Sequence, residues 1–232
     1  MRNGAPKILV VDDNPPTRYS TGRVLRAARF EVIEAATGGE ALQATSQNPD
    51  LVILDVNLPD ISGFEVCRRL RANPATARTP VVHLSATFVD ADAKVQGLDA
   101  GADGYLTHPV EPPVLIATVN AFLRARHAEE GMRSSEAKFK AVFENAASGI
   151  ALLTDGMVFL EVNPAIASSL GRDRADIEGR HLALFLPSGH AQLLSRIDEG
   201  LAATGLWRGA FPILDANGRE VELEWSVSIH SD

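Results

Sequence analysis

Over the first 125 residues, short apolar runs alternate with longer segments whose apolar positions recur every three or four residues. Residues 7–11 and 51–54 are nearly unbroken apolar runs, and each ends on acid, Asp12-Asp13 in one case and Asp55 in the other. A run so short and continuous predicts a strand buried on both faces, as in a parallel sheet. Segments 30–34, 80–84 and 104–106 predict three more strands. Between them, Thr17, Thr21, Val24, Leu25 and Ala28 recur at helical spacing behind Asn14-Pro15-Pro16, a cap followed by a proline suited to a first turn. A short helix over 38–46, one from Gly63 with Phe64, Cys67 and Leu70 on one face, and one over 91–100 stopped by Gly101 follow. The last starts at Pro112 and buries Leu115, Val119, Phe122 and Leu123. Five strand-then-helix repeats with such crossovers predict an α/β fold, a doubly wound five-stranded parallel sheet with strand 1 beside strand 3.

The pattern then changes. Residues 124–143 lack proline and are rich in Ala, Glu, Arg and Lys. Gly131 costs a helix about 1 kcal/mol relative to Ala, and Ser134-Ser135 offers a cap for a fresh helix, so one helix or two fit the pattern. Apolar residues thin out over 125–137, Met132 excepted, which suits an exposed connector or a weak dimeric coiled coil. Beyond it, strands over 149–154 and 157–162 flank the hairpin signal Asp155-Gly156. Asn163-Pro164 opens a helix to Leu170-Gly171, a helix follows over about 190–203, and strands over 207–214 and 220–229 meet at Ala216-Asn217-Gly218-Arg219. The expected division is 1–125, a connector over 126–143, and a smaller α+β domain over 144–232.

Composition narrows the function. At 232 residues, 45% hydrophobic and 22% charged, the chain is expected to be soluble and globular. No apolar run nears the roughly 20 residues of a membrane span, and the N-terminus lacks a signal-peptide core. The single cysteine, Cys67, rules out an internal disulfide and suits the cytoplasm. The net charge is −8; residues 1–125 hold 12 Lys/Arg against 14 Asp/Glu, and the rest 10 against 16. Neither part offers a basic surface, which argues against nucleic acid as a partner and favours a protein or small ligand.

Neighbouring strands 1 and 3 would bring Asp12, Asp13 and Asp55 into one pocket at the switch point of the sheet, with Ser85 and His108 on its rim. Clustered carboxylates repel one another and call for a hard cation, and Mg²⁺ fits best. Asp55 could then attack phosphorus to give an aspartyl phosphate, with the Ser85 hydroxyl binding a phosphoryl oxygen.

In order and spacing, Asp12-Asp13, Asp55, Ser85 followed by Ala86, and Tyr105 resemble the receiver domain of two-component response regulators, over residues 7 to about 124. The resemblance implies phosphotransfer to Asp55 from a histidine kinase or a phosphotransfer protein. It also implies Mg²⁺ held by Asp13, Asp55 and the backbone carbonyl of Asn57, with Asp12 acting through a metal-bound water. Ser85 and Tyr105 would move together and remodel the face made by the fourth helix, fifth strand and fifth helix. One position departs: the family places Lys before the proline that follows strand 5, and here it is His108-Pro109. Histidine is shorter and has an unperturbed pKa near about 6.5. Nearby carboxylates and phosphate are expected to favour its protonated form, a partial replacement that slows phosphorylation or weakens the switch.

The segments EAKFKAVFENAASGIALL and VNPAIASSLG resemble a PAS domain. That implies either a bound haem, flavin or metabolite, or pairing between copies. The thiol of photoactive flavin versions is missing, since Cys67 lies in the first domain, and His181 and His190 read as solvated rather than as haem ligands. The PAS ligand therefore stays unassigned, and a homodimer through connector and PAS domain is expected. A PAS sheet closes with a fifth strand, so the chain reads as a fragment lacking that strand and an effector, such as a histidine kinase or a cyclase. By itself it is not expected to turn over a substrate. Tyr105 is most simply a half-buried strand aromatic, His83 structural, His127 solvated and Cys67 a core residue. Two alternatives remain: an unphosphorylated interaction module, and a phosphatase with an aspartyl nucleophile. The latter usually puts its nucleophile after strand 1 and needs a lysine near the last strands or a cap insertion; this chain has neither.

Overall fold

The computed structural model describes residues 4–85, 100–154, 156–188 and 191–228. They form two units that divide between Met132 and Arg133. In the first, β1 (Lys7–Val11), β2 (Glu31–Ala35), β3 (Leu51–Leu54), β4 (Val81–Ser85) and β5 (Gly104–Thr107) form one sheet in the order β2-β1-β3-β4-β5. Every pairing is parallel. Successive side chains of a strand point to opposite faces, and here both faces are covered. Leu9, Val11, Val52 and Leu54 pack with Ala41 of α2 (Gly38–Ala44) and Val66, Cys67 and Leu70 of α3 (Gly63–Ala72). Ile8, Val10, Leu51, Ile53, Val82 and Leu84 pack with Leu25 of α1 (Pro15–Ala27) and Leu115, Val119 and Leu123 of α4 (Pro112–Asn145). That double coverage is why the strands read as continuous apolar runs, and the expected doubly wound sheet is borne out.

Local chemistry sets the helix starts. Asn14, Thr37 and Ser62 each accept a backbone N–H three residues on, capping α1, α2 and α3. The Asp60 carboxylate accepts from Gly38 and Gly39 as well, both at 2.8 Å, and those bonds hold its pKa below the usual carboxylate value. Arg71 ties α3 to the far end of the sheet, donating to the carbonyls of Ala77, Thr79 and Gly101 and to Asp103.

The structure adjusts several bounds, and the strands expected over 149–154 and 157–162 shorten to Ala151–Leu153 and Phe159–Val162, where the antiparallel ladder holds. The second strand runs one residue later than 30–34. The helix expected over 38–46 ends at Ala44, and a 3₁₀ turn (Thr45–Gln47) follows, closed by Asn48 in the left-handed region at φ 52°. The connector is one helix: α4 passes through Gly131 without a break, and Ser134-Ser135 starts nothing new. Once a helix is nucleated, propagation through good helix formers outweighs one glycine. The helix expected over 91–100 and Ala86 lie outside the described residues, apart from Ala100 itself, which is in a turn.

The second unit has two antiparallel pairs, β6 (Ala151–Leu153) with β7 (Phe159–Val162), and β8 (Leu206–Leu214) with β9 (Glu220–Ser228). Between the pairs come α5 (Pro164–Leu170), α6 (Arg174–Ile177), a 3₁₀ turn (Leu182–Phe185) and α7 (Ala191–Thr204). Asn163 is wholly buried and satisfied: its carbonyl oxygen accepts from Ile150 and Ile166, and its amide donates to Ser148. Gly171, at φ 58°, closes α5 in a conformation that favours glycine. The core joins Phe159, Val162, Ile166, Leu170, Phe185, Ile197, Phe211 and Ile213, and Trp225 stacks on Phe211 at 4.7 Å. Asp155 and His190 fall outside the described residues. Among those described, no helix is long and apolar enough to cross a membrane.

Gly63 is fixed by space rather than torsion. A Cβ there would lie 2.1 Å from the Asp55 carbonyl oxygen, which is backbone and cannot swing aside. Gly63→Ala is therefore expected to destabilise the first unit by about 2–3 kcal/mol, the cost of overpacking a tight contact, read as a lowered urea midpoint of its unfolding transition.

Candidate functional site

Val11 and Leu54 are partners across β1 and β3, so the residues that follow leave the sheet side by side. Backbone bonds hold both exits: Asp12 donates its N–H to Ala35 O at 3.1 Å, and Asp55 donates to Val11 O at 2.9 Å. Carboxylate oxygens of Asp12, Asp13 and Asp55 all lie within 4.8 Å of one another. Asp12 is buried, Asp55 is partly buried and Asp13 is exposed. Asn57 donates its backbone N–H to Asp55 Oδ1 at 3.3 Å, and Asn14 donates to Asp12 Oδ1 at 2.8 Å.

Charge crowded into this edge shifts the titration of its members. Burial chiefly, then the neighbouring Asp12 and Asp13 charges, push the Asp55 carboxyl up from 3.8 to about 6 despite the bonds from Asn57 and Val56. Asp12 moves up too, again chiefly through burial. The donor set, three hard oxygen ligands close together and short of positive charge, fits a divalent cation of the Mg²⁺ type.

Ser85 is the last residue of β4 and is buried; its carbonyl accepts the His108 N–H at 2.7 Å, which brings position 108 to the same edge. The His108–Pro109 peptide is cis. Here the structure adds burial to the sequence reading. Burial lowers the His108 pKa below 6.5, and Asp12 offsets this only in part, so the ring is neutral near pH 7. Tyr105 lies on β5 beside His83 of β4, two residues before the Thr107–Ser85 pair that ends both strands. Cys67 is wholly buried, and burial pushes its thiol up, as suits an inert core residue.

One neighbour escaped the sequence reading. Arg18, in the first turn of α1, donates to the Asp12 carbonyl and lies 3.6 Å from Glu34, so a cation stands behind the acid cluster. Its signal was its place one turn after the Asn14 cap, on the helix that follows the first acidic strand end.

Residues 8–120 match the family model of the response regulator receiver domain, and residues 143–232 match that of the PAS fold. Among curated proteins, the chain is 43% identical over 121 residues to the DNA-binding dual master transcriptional regulator RpaA of Synechocystis sp., covering 51% of this chain and 49% of that protein. It is 42% identical over 120 residues to the phosphate regulon transcriptional regulatory protein PhoB of Rhizobium meliloti, covering 51% of this chain and 52% of PhoB. The chain thus spans about half the length of these relatives. Among solved structures, one described as a response regulator from Chloroflexus aurantiacus is 41% identical, with a TM-score of 0.50, covering 52% of this chain and 98% of that one.

The raised Asp55 pKa has a consequence for the metal-free protein. The folded state keeps this proton up to about pH 6, whereas an unfolded chain releases it near about 3.9. The native state binds more protons between those values, so stability falls as pH rises through that window and stays low above it. Asp55→Asn is expected to raise stability at pH 7.5 by about 1–2 kcal/mol, a figure reduced for solvent screening, and to flatten its dependence between pH 4 and 7. Urea unfolding in EDTA measures both.

Proposed function

The chain is a response-regulator receiver domain followed by a PAS fold, and we propose that Asp55 accepts a phosphoryl group in a Mg²⁺-dependent reaction. The observation that carries this reading is the convergence of Asp12, Asp13 and Asp55 within 4.8 Å at the ends of adjacent parallel strands. Asp13, Asp55 and the backbone carbonyl of Asn57 would hold the ion, with Asp12 acting through a bound water. When bound, Mg²⁺ supplies positive charge that neutralises the acids and the transferring phosphoryl oxygens.

An Asp55 carboxylate oxygen attacks phosphorus on a phosphohistidine donor while the P–N bond breaks. The departing imidazole nitrogen keeps the electron pair and takes a proton. Ser85, buried at the end of β4, offers its hydroxyl to a phosphoryl oxygen. His108 stands where the family has lysine, and as a neutral ring it contributes a hydrogen bond but no full charge. The donor is a histidine kinase or a phosphotransfer protein. The change passes along α4 to the PAS fold, whose own ligand is unassigned, and on to an effector. The same neutral ring favours a second reading, in which the receiver stays unphosphorylated and docks a partner.

We further assign a homodimer built through the connector and PAS fold, in the cytoplasm. Met132 and Val142 of α4 are 75% and 66% exposed, and Phe139 lies seven residues after Met132 and three before Val142, the spacing of a coiled-coil seam.

Two measurements check these assignments. Incubation with a small phosphodonor and Mg²⁺ is expected to add the mass of one phosphoryl group, lost in Asp55→Asn and in EDTA. His108→Lys is expected to accelerate labelling about tenfold, about 1.4 kcal/mol off the barrier; wild type that stays unlabelled while His108→Lys labels would establish the docking module instead. Sedimentation of Met132→Glu/Val142→Glu is expected to give a monomer with unchanged thermal unfolding, against a dimer for wild type.

A further inference from the structure

In the first unit, three buried side-chain polar atoms have no hydrogen-bond partner among the described residues, Nε2 of His108 and two that belong to neighbouring rings: Nε2 of His83 and the hydroxyl of Tyr105. His83 is wholly buried in β4, and its Nδ1 lies 3.2 Å from the Leu54 carbonyl oxygen. A carbonyl only accepts, so Nδ1 carries the proton, and burial keeps the ring neutral. The other nitrogen, Nε2, is then a bare lone pair that needs a donor. Phe64, edge-on at 5.2 Å, has none to give.

Tyr105 is the partner of His83 across β4 and β5, which puts both side chains on one face of the sheet. Their rings are 6.2 Å apart and tilted by 51°. The tyrosine hydroxyl both donates and accepts, and a turn of its side chain can bring it to the about 2.7–3.2 Å of a hydrogen bond. Buried polar groups in folded proteins are paired in the great majority of cases, and these two belong to side chains paired across adjacent strands, with rings in contact range.

We propose that in an inward conformer of Tyr105 its hydroxyl donates a hydrogen bond to Nε2 of His83, which makes His83 a positioning residue between Tyr105 and the strand that carries Asp55. The relay runs from the Tyr105 O–H to His83 Nε2, and from His83 Nδ1–H to the carbonyl of Leu54, the residue before Asp55. No proton changes owner along it; both links are hydrogen bonds. A group bound at Asp55 moves the end of β3 and thereby weights the inward conformer. That last step rests on Asp55 being the phosphoacceptor, whereas the bond itself does not.

The test is a long-range ¹H–¹⁵N spectrum of the full chain with ¹⁵N-labelled histidine at pH 7.5, with His83 assigned from His83→Gln. The expected result is a neutral His83 protonated on Nδ1, whose Nε2 resonance moves toward that of a free lone pair in Tyr105→Phe. With Mg²⁺ and beryllium fluoride, the difference between wild type and Tyr105→Phe is expected to grow at least twofold. A proton on Nε2, or an Nε2 resonance that Tyr105→Phe leaves in place with and without beryllium fluoride, overturns the proposal. A resting difference that beryllium fluoride does not change keeps the bond and overturns its link to Asp55. Phosphodonor labelling followed by mass in the same samples separates the two readings: labelled Asp55 with an unresponsive Nε2 defeats the relay alone, and a responsive Nε2 without labelling defeats the phosphoacceptor alone.

Discussion

Two carboxylates leave neighbouring strands at one edge and cannot separate. Asp12 and Asp55 follow the paired residues Val11 and Leu54, and each is anchored by its own backbone N–H to the adjoining strand. Relaxing their repulsion by moving a chain would break ladder bonds and disturb a core sealed on both faces. The charge has to be settled in place, by a proton or by a cation. The upward shift of Asp55 to about 6, chiefly from burial, records the strain of keeping these charges together, and at neutral pH, where the carboxylate is ionised, a divalent ion would offset it. Geometry built for folding thus creates the demand for the metal.

What could be read in advance follows from how local each signal is. The β1 and β3 runs were legible because burial on both faces leaves only apolar residues, and the acids mark where the faces end. Doubly wound order followed from the crossovers, and the helix starts from Asn14, Gly63 and Asn163. The end of α2 was not legible, since Thr45 to Gln47 carries no breaker and only the left-handed Asn48 closes it. Nor could the sequence decide whether α4 survives Gly131, because a penalty near about 1 kcal/mol sits inside the range that neighbouring residues offset. In the site, the three acids were placed by topology, whereas Arg18 and His83 were not, because their roles depend on which carbonyl each one meets in three dimensions.

His108 shows why type and position do not settle charge. Read from sequence, a histidine beside carboxylates should be cationic. In the fold, the same edge that gathers the acids also shields the ring, and desolvation outweighs the attraction of Asp12. Lysine at this position would start about four units higher and stay charged under the same burial. The substitution therefore changes a permanent cation into a group whose charge depends on what occupies the site. If Asp55 accepts a phosphoryl group, that added negative charge would favour the proton on the ring, and the electrostatic help would come with the substrate.

Asn163 and His83 are both buried polar side chains that tie separate segments, and they differ in one respect. Asn163 spends its carbonyl on Ile150 and Ile166 and its amide on Ser148, so any movement of those segments breaks a bond that nothing replaces. That arrangement fixes a single structure. His83 bonds Leu54 with one nitrogen and leaves the other open beside a tyrosine hydroxyl that is open too. A fully satisfied polar group resists displacement, whereas a half-satisfied pair lowers the free energy of the conformer that closes it. In the second unit the segments around Asn163 are therefore pinned, while in the first an unmade bond lies beside the strand that leads to Asp55. A bond of this kind, made in one conformation only, is what would let a unit favour one of two conformations.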